Sequence, residues 1–328
     1  MNPKALSRAD LELLLHIAEG GSLAAAARRL ERAPPGVSKA LAALEARLGT
    51  RLLHRTTRRL QPTAEGEAVL AQARDIVAGF ERLDEALSGQ RDTARGRLRV
   101  ASSPGFGRVW LAPVLAALQE RHPALAIDLQ LADHLPDLAG GRFDAAVWLW
   151  TPTRGSWHTQ RLARNRRVVV AAPAYLHRHG TPQTLDDLAA HHCLVVREND
   201  EPAAVWRLSA LARPRAQPVA VRVGGPLASN HGEVVRDWAL AGRGLMLRSL
   251  WDVAAPLARG ELVHLLPGWA MLDADVHLVL PPRPAALALP RRVQLLQQHL
   301  REAFAGEPWL SGPVQGQASA PPAPRRPR

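Results

Sequence analysis

Cysteine occurs once in the 328 residues, at Cys193. A single thiol excludes an intramolecular disulfide, a cysteine-rich zinc site and a CxxC redox pair. Lysine is nearly missing as well: only Lys4 and Lys39 occur, so arginine carries almost all of the positive charge. No window approaches the ~18 uncharged apolar residues that a membrane-spanning helix needs. The N-terminal stretch MNPKALSRADLELLLHIAEGG has an acidic residue inside its apolar run and no small-residue cleavage site, so no signal peptide is expected. G-x-S-x-G, H-E-x-x-H and P-loop patterns are all missing, and Gly242-x-Gly244 lacks the third glycine of a dinucleotide fingerprint. His191, His192 and Cys193 are consecutive in a strand-like stretch, where neighbours point to opposite faces, so a shared metal ion is not expected. These gaps predict a chain without catalytic residues, metal or cofactor, and not an enzyme, in a reducing compartment such as the cytoplasm.

The chain does hold enough apolar material to bury a core: 47% of residues are hydrophobic and 22% charged. Its length suggests two domains at ~150 residues each. The net charge is +12 and the isoelectric point about 11.3, which points to a polyanionic partner. That excess is local. Residues 1–63 carry 11 basic and 5 acidic side chains, whereas residues 64–95 carry 4 basic and 7 acidic. Only the first segment is therefore expected to touch a polyanion. Residues 311–328 (SGPVQGQASAPPAPRRPR) read as a disordered basic tail.

Ser7 and Asp10 have capping-box spacing and open a helix with Leu11, Leu14, Leu15 and Ala18 on one face. Gly20-Gly21 ends it, and Ser22 caps a second, alanine-rich helix. After Glu31-Arg32-Ala33 a third helix starts at Pro34-Pro35, where first-turn N–H groups have no partner to lose. Val37, Leu41, Leu44 and Leu48 form its buried stripe up to Gly49, leaving Ser38 and Lys39 outward with the prolines. This is helix-turn-helix spacing. The following RLLHRTTRRLQPT reads as a β-hairpin wing that offers Arg55, Thr57, Arg58 and Arg59 to phosphates or a narrow minor groove. The competing reading is a small helical bundle with a solvated arginine face.

Here the chain resembles the LysR-type transcriptional regulators, through Leu11, Leu14, Gly21-Ser22, Ala26-Ala27, Leu30, Val37-Ser38, Leu44-Glu45, Leu48-Gly49, Leu52, Arg55, Thr63 and Gly66. The family usually opens its recognition helix with Ser then Gln, where this chain has Ala33 and Pro34. Amide readout of adenine is therefore not open to Pro34, and apolar thymine contact and DNA shape are expected to count for more. The resemblance implies DNA contacts at Ser22, Pro34, Pro35, Ser38, Lys39, Arg55, Thr57, Arg58 and Arg59.

From Ala64 to Gly89 there is no proline, and Val69, Ala73, Ile76, Phe80, Leu83 and Leu87 repeat at heptad spacing in a helix roughly 39 Å long at ~1.5 Å per residue. This predicts a dimerisation seam, against the alternative of a helix lying on its own domain. The resemblance implies the former. Beyond it, strand-like Leu98–Ala101, Ala126–Leu131, Ala145–Leu149 and 168–172 alternate with helical stretches, and Ser102–Arg108 reads as a loop. The pattern predicts an α/β region with a largely parallel sheet, where ligands bind beyond strand ends at helix N-termini. Ser102-Ser103 and Ser229-Asn230-His231 stand at such places, although each also suits a plain helix cap.

The resemblance continues to about residue 305 through Pro113, Leu115, Arg121-His122-Pro123, Phe143-Asp144, Pro173-Ala174-Tyr175-Leu176, Leu188, Cys193-Leu194, Asp237-Trp238 and Gly242-Arg243-Gly244. It implies a type II periplasmic-binding-protein-like effector domain of two subdomains. Val147-Trp148-Leu149-Trp150 stands where many relatives have an arginine, so that contact does not carry over.

The expected organisation is an all-α winged helix-turn-helix at 1–63, a linker and dimerisation helix at 64–91, and an effector domain at 96–306. Subdomain I spans about 96–162 and 266–306, subdomain II about 163–265. Expected effector contacts are Ser102, Ser103, Trp148, Asn230 and His231, with Trp148 either an aromatic wall or part of the core. A small carboxylate on an aromatic or apolar frame is the expected ligand. Expected partners are double-stranded promoter DNA, the effector, a second copy of the chain in a dimer or tetramer, and the transcription machinery, at the nucleoid and without a membrane. A solute-binding or carrier module is the rival from another class, and a hydrolase the third; the basic N-terminus and the missing nucleophile constellation count against them.

Overall fold

Helix α1 (Arg8–Gly20) opens on a reciprocal cap, in which Ser7 Oγ accepts from the Asp10 N–H at 3.2 Å and Asp10 Oδ2 accepts from the Ser7 N–H at 3.0 Å. Ser22 Oγ caps α2 (Leu23–Arg29) through the Ala25 N–H at 3.2 Å, and α3 spans Pro34–Leu48. Gly21 and Gly49 close α1 and α3 at φ of 61° and 72°, a left-handed geometry that side chains with a Cβ resist. Strands β1 (Leu53–Arg55) and β2 (Leu60–Pro62) pair antiparallel, with Leu53 opposite Pro62, so the hairpin wing is present. The computed structural model describes residues 6–55, 60–87, 95–138, 141–150, 157–197, 205–282 and 289–310.

Helix α4 (Ala64–Leu87) departs from the expected seam. Leu70 and Ala73 are buried with Leu14, Ile17, Val37, Leu41, Leu44 and Leu52, and Val69 and Val77 pack against the same core. Val69 and Ala73 thus belong to their own domain, because an apolar row at Gly66, Leu70, Ala73 and Val77 turns inward. Ile76 and Phe80 remain exposed, at 46% and 40%, while the side chains of Leu83 and Leu87 lie outside the described residues. Several residues shared with the LysR pattern act locally here. Glu45 Oε1 accepts from the Leu52 and Leu53 N–H groups at 2.8 and 3.1 Å, and Thr63 Oγ1 accepts from the Gly66 N–H at 2.9 Å. Gly66 packs so closely on the Leu52 carbonyl that a Cβ would overlap it, which fixes where α4 leaves the wing.

The remainder begins with β3 (Gly96–Ser102) and a helical run from Pro104, namely α5 (Pro104–Phe106), a π-helical turn (Gly107–Leu111) and α6 (Ala112–Arg121). The expected loop at 102–108 is therefore shorter, because Pro104 starts a helix directly after Ser103. Next come β4 (Leu125–Leu131), β5 (Ala145–Trp148), β6 (His158–Ala163), β7 (Arg167–Ala171), α7 (Pro173–His179) and β8 (Cys193–Val196). Then follow β9 (Val205–Ala210), β10 (Val219–Arg222), β11 (Ala228–Ser229), α8 (Gly232–Leu240), β12 (Leu245–Ser249) and α9 (Leu250–Ala258). The last elements are β13 (Val263–Leu265), β14 (Trp269–Ala270), β15 (Val276–Leu280) and α10 (Arg291–Phe304).

Two five-stranded sheets result, in the orders β4-β3-β5-β15-β6 and β11-β8-β12-β7-β13, beside a small sheet β10-β9-β14. Neither large sheet is all parallel. β3 runs parallel with β4 and β5, and β8 with β11 and β12, whereas β15 and β7 pair antiparallel with their neighbours. The expected largely parallel sheet is corrected to a mixed one, because the chain crosses between the sheets and re-enters each from the far end. Asn165 ties both crossings together: its N–H donates to Asp275 Oδ1 at 2.9 Å and its Nδ2 to the Ala274 carbonyl at 2.8 Å. Trp309 is buried beyond α10, donates from Nε1 to the Arg164 carbonyl at 2.8 Å, and packs edge-on against Trp110 and Phe106.

Candidate effector pocket and nucleic-acid interface

The carboxyl ends of β3, β4 and β5 lie side by side because these strands are parallel, and the residues just beyond them are Ser103, Asp133, Leu149 and Trp150. From the second sheet come Asn230, His231 and Gly232 at the start of α8, with Arg248 on β12 and Trp251 on α9. Together with Pro104 and Gly105 they line one pocket of about 420 Å³, counting its open mouth. Ser103 Oγ is buried without a hydrogen-bond partner, and Ser103 and His231 both stand at a helix N-cap with no side-chain capping bond. The first turns of two helices thus border one space.

Of the expected effector residues, Ser103, Asn230 and His231 line this pocket. Ser102 does not: it is fully buried and its Oγ donates to the Val147 carbonyl at 3.0 Å, since strand alternation turns it into the sheet. Trp148 is also corrected. It is 0% exposed within β5, packs edge-on against Trp150 at 5.3 Å, and leaves Trp150 to form the wall.

Polar contacts join the elements around the pocket. Arg108 Nε donates to Glu233 at 3.1 Å, Asn230 Nδ2 to Asp133 Oδ2 at 3.2 Å, and Trp110 Nε1 to the Trp251 carbonyl at 3.1 Å. Arg108 and Trp110 both sit on the π-helical turn, an irregularity that redirects side chains. Arg248 is 6% exposed; its Nε donates to Asp252 Oδ2 at 2.6 Å, and Asp252 Oδ1 accepts from Arg236 Nη1 at 2.5 Å. Arg248, Asp133, Trp150 and Trp251 carried no local motif in the sequence; only the packing of two sheets brings them together.

Elsewhere in this region, Tyr175 Oη lies 3.2 Å from His191 Nδ1 and accepts from the His192 N–H at 2.9 Å. Among the described residues no group of three or more His, Cys, Asp or Glu side chains is placed to hold a metal. Burial pushes the neighbouring Cys193 thiol up to about 12, so it stays protonated.

In the N-terminal domain, Pro34, Pro35 and Lys39 are exposed at the start of α3 and Ser38 is half-buried. Ala33 offers no capping side chain, the prolines have no N–H, and the Gly36 and Val37 N–H groups bond to the Ala33 carbonyl at 2.9 and 3.3 Å. The exposed first turn is therefore apolar, not an anion cradle. Ser22 is exposed, but its hydroxyl is engaged as the α2 cap. Arg55 lies on β1 with its side chain outside the described residues, and Thr57, Arg58 and Arg59 fall outside them as well. Arg28 and Arg32, exposed where α2 gives way to α3, add basic groups that the motif reading passed over.

Residues 9–67 match the family described as "Bacterial regulatory helix-turn-helix protein, lysR family", and residues 91–305 match "LysR substrate binding domain". The chain is 39% identical over 296 residues to the HTH-type transcriptional regulator DmlR of Escherichia coli (strain K12), covering 90% of this chain and 94% of that protein. It is 35% identical over 261 residues to the HTH-type transcriptional activator TtdR of the same strain, covering 80% and 83%. Among solved structures, CrgA, a LysR-type transcriptional regulator from Neisseria meningitidis, aligns with a TM-score of 0.56 at 27% identity, over 91% of this chain and 99% of that one.

Proposed function

This chain belongs to the LysR family of DNA-binding transcriptional regulators with a substrate-binding effector domain, and on that premise we propose how its parts divide the work. Residues 1–63 bind double-stranded promoter DNA, with α3 entering the major groove and the wing arginines on the phosphates. Residues 64–91 join two copies through the exposed Ile76 and Phe80, continued by Leu83 and Leu87. Residues 96–306 sense a small carboxylate between subdomain I (96–162 and 266–306) and subdomain II (163–265). The effector favours one lobe arrangement, which shifts the oligomer geometry and with it the spacing or bend of the bound DNA. Action on promoters places the protein in the cytoplasm at the nucleoid, with the transcription machinery as a further contact and no catalysis of its own.

The observation that carries this reading is the exposed, proline-led start of α3 beside Lys39 in a chain whose other region holds a pocket bordered by two helix starts. Its test is a DNA titration across salt concentrations. Arg58→Ala with Arg59→Ala is expected to weaken specific and random DNA alike and to lower the salt slope by about one unit per lost phosphate contact. An unchanged slope removes the wing from the interface. For assembly, Phe80→Asp with Leu83→Asp is expected to abolish the dimer in light scattering, and an undiminished mass would show that these residues pack within one chain.

A further inference from the structure

The polar groups of the pocket are not alike on all sides. Its buried cation is the Arg248 guanidinium, aimed by Asp252 and with its carbon 5.5 Å from the centre of the Trp251 ring. A Cβ at Gly232 would occupy the place of that guanidinium, so the cation lies directly on the first turn of α8. A cation is disfavoured at a helix N-terminus by the same partial positive charge that attracts an anion. A carboxylate lying beside both the guanidinium and the helix start is attracted by each, and Ser103 lines the pocket from the other lobe. At the mouth the sign reverses. Asp133 is exposed there, and one of its oxygens accepts from Asn230. A carboxylate has about four lone-pair sites, so Asp133 can accept a further donor, while its charge disfavours a second anionic group beside it.

We infer that the pocket is bipolar and takes a carboxylic acid bearing a hydroxyl or amino group: the acid lies on Arg248 and the start of α8, and the donor faces Asp133. This rests on the reading of the pocket as the effector site and names the ligand class it selects. Arg248 and Asp133 then set specificity from opposite ends, and Trp150, Trp251 and Leu149 form the walls between them.

Two matched probe sets test this on the full chain by thermal shift and calorimetric titration. The first is lactate, alanine, propionate and propane-1,2-diol; the second is mandelate, phenylglycine, phenylacetate and 1-phenylethane-1,2-diol. In at least one set the hydroxy or amino acid is expected to bind about tenfold more tightly than the plain acid, as one charge-assisted hydrogen bond allows, and the diol not to bind. The comparison of hydroxy with amino acid identifies the donor. Asp133→Asn is expected to bring the substituted acid down to the plain acid. Arg248→Gln is expected to remove the preference for acid over diol. Gly232→Ala, which displaces the guanidinium while leaving its pairing residues in place, is expected to do the same and serves if Arg248→Gln does not fold. Binding that survives these substitutions but is lost on filling the pocket with Ser103→Phe keeps the effector site and overturns the bipolar assignment. Binding indifferent to Ser103→Phe overturns both. If no acid of either set binds the parent protein, the bipolar assignment falls.

Discussion

At the start of α3, Ala33 holds extended backbone at φ −70° and ψ 137° and is followed by two prolines; at the start of α8, His231 holds φ −109° and ψ 109° and is followed by a glycine. Neither side chain caps its helix. The residues after the cap set the difference. Prolines remove donors and add an apolar ridge, which suits contact with a surface read by fit. Glycine admits a guanidinium onto the first turn and turns the other helix start into a cation-lined site. The helix dipole is common to both, so it decides neither. What it can act on depends on which groups the first turn leaves accessible.

The contrast is broken most severely by removing the support beneath α3. Leu41 is 1% exposed in the N-terminal core, and Leu41→Ala is expected to cost about 2–5 kcal/mol, read as an earlier transition in calorimetry. The pocket's response to ligands should persist below that transition. A smaller change sharpens the contrast: Ala33→Ser supplies the missing cap on suitable extended backbone, and chemical denaturation should show a gain of about 1 kcal/mol. A loss there would mean that the exposed turn is held by something other than its own backbone.

Acid offers two smaller tests, one in each region. Burial raises the Asp10 pKa, but the Ser7 N–H and hydroxyl and the Arg47 guanidinium at 2.7 Å outweigh it and hold the carboxyl below its usual value of 3.8. Its stabilisation is present above that value and is lost as pH falls through the lower folded one. Asp10→Asn should flatten this acid limb in the N-terminal transition. In the other region, burial and then Arg166 lower His264 to about 4 from 6.5. The unfolded chain therefore binds more protons between pH 6.5 and 4, and stability declines as pH falls through that window. Urea midpoints of His264→Leu should lose that slope. The smallest effect concerns Cys193: with its thiol at about 12 and 0% exposed, it should react with a thiol reagent only at the rate of unfolding.

Local chemistry was the part legible in the sequence. The Ser7–Asp10 box, the left-handed Gly21 and Gly49 and the hairpin after Leu52 depend on neighbours within a few residues, and each forms as its pattern suggests. Ser103, Asn230 and His231 were legible because they directly follow strands. Arg248 was not, since nothing near it in the chain distinguishes it from a surface arginine. Trp148 and Trp150 share apolar character, and only the position where β5 ends decides which is sealed in and which faces the pocket. In α4 two apolar rows share three-and-four spacing, so periodicity could not say that Leu70 and Val77 turn inward while Ile76 and Phe80 stay out.

The tryptophan pairs have an optical consequence. Trp110 and Trp309 meet at 4.9 Å with planes at 78°, and Trp148 and Trp150 at 5.3 Å with planes at 75°. Indoles this close and this inclined couple their electronic transitions, giving circular dichroism bands that isolated tryptophans lack. One pair includes the pocket wall; the other joins the π-helical turn to the segment beyond α10. Ligand entry and loosening of that C-terminal segment therefore alter different couplets, and the protein carries its own unlabelled reporters for the two events.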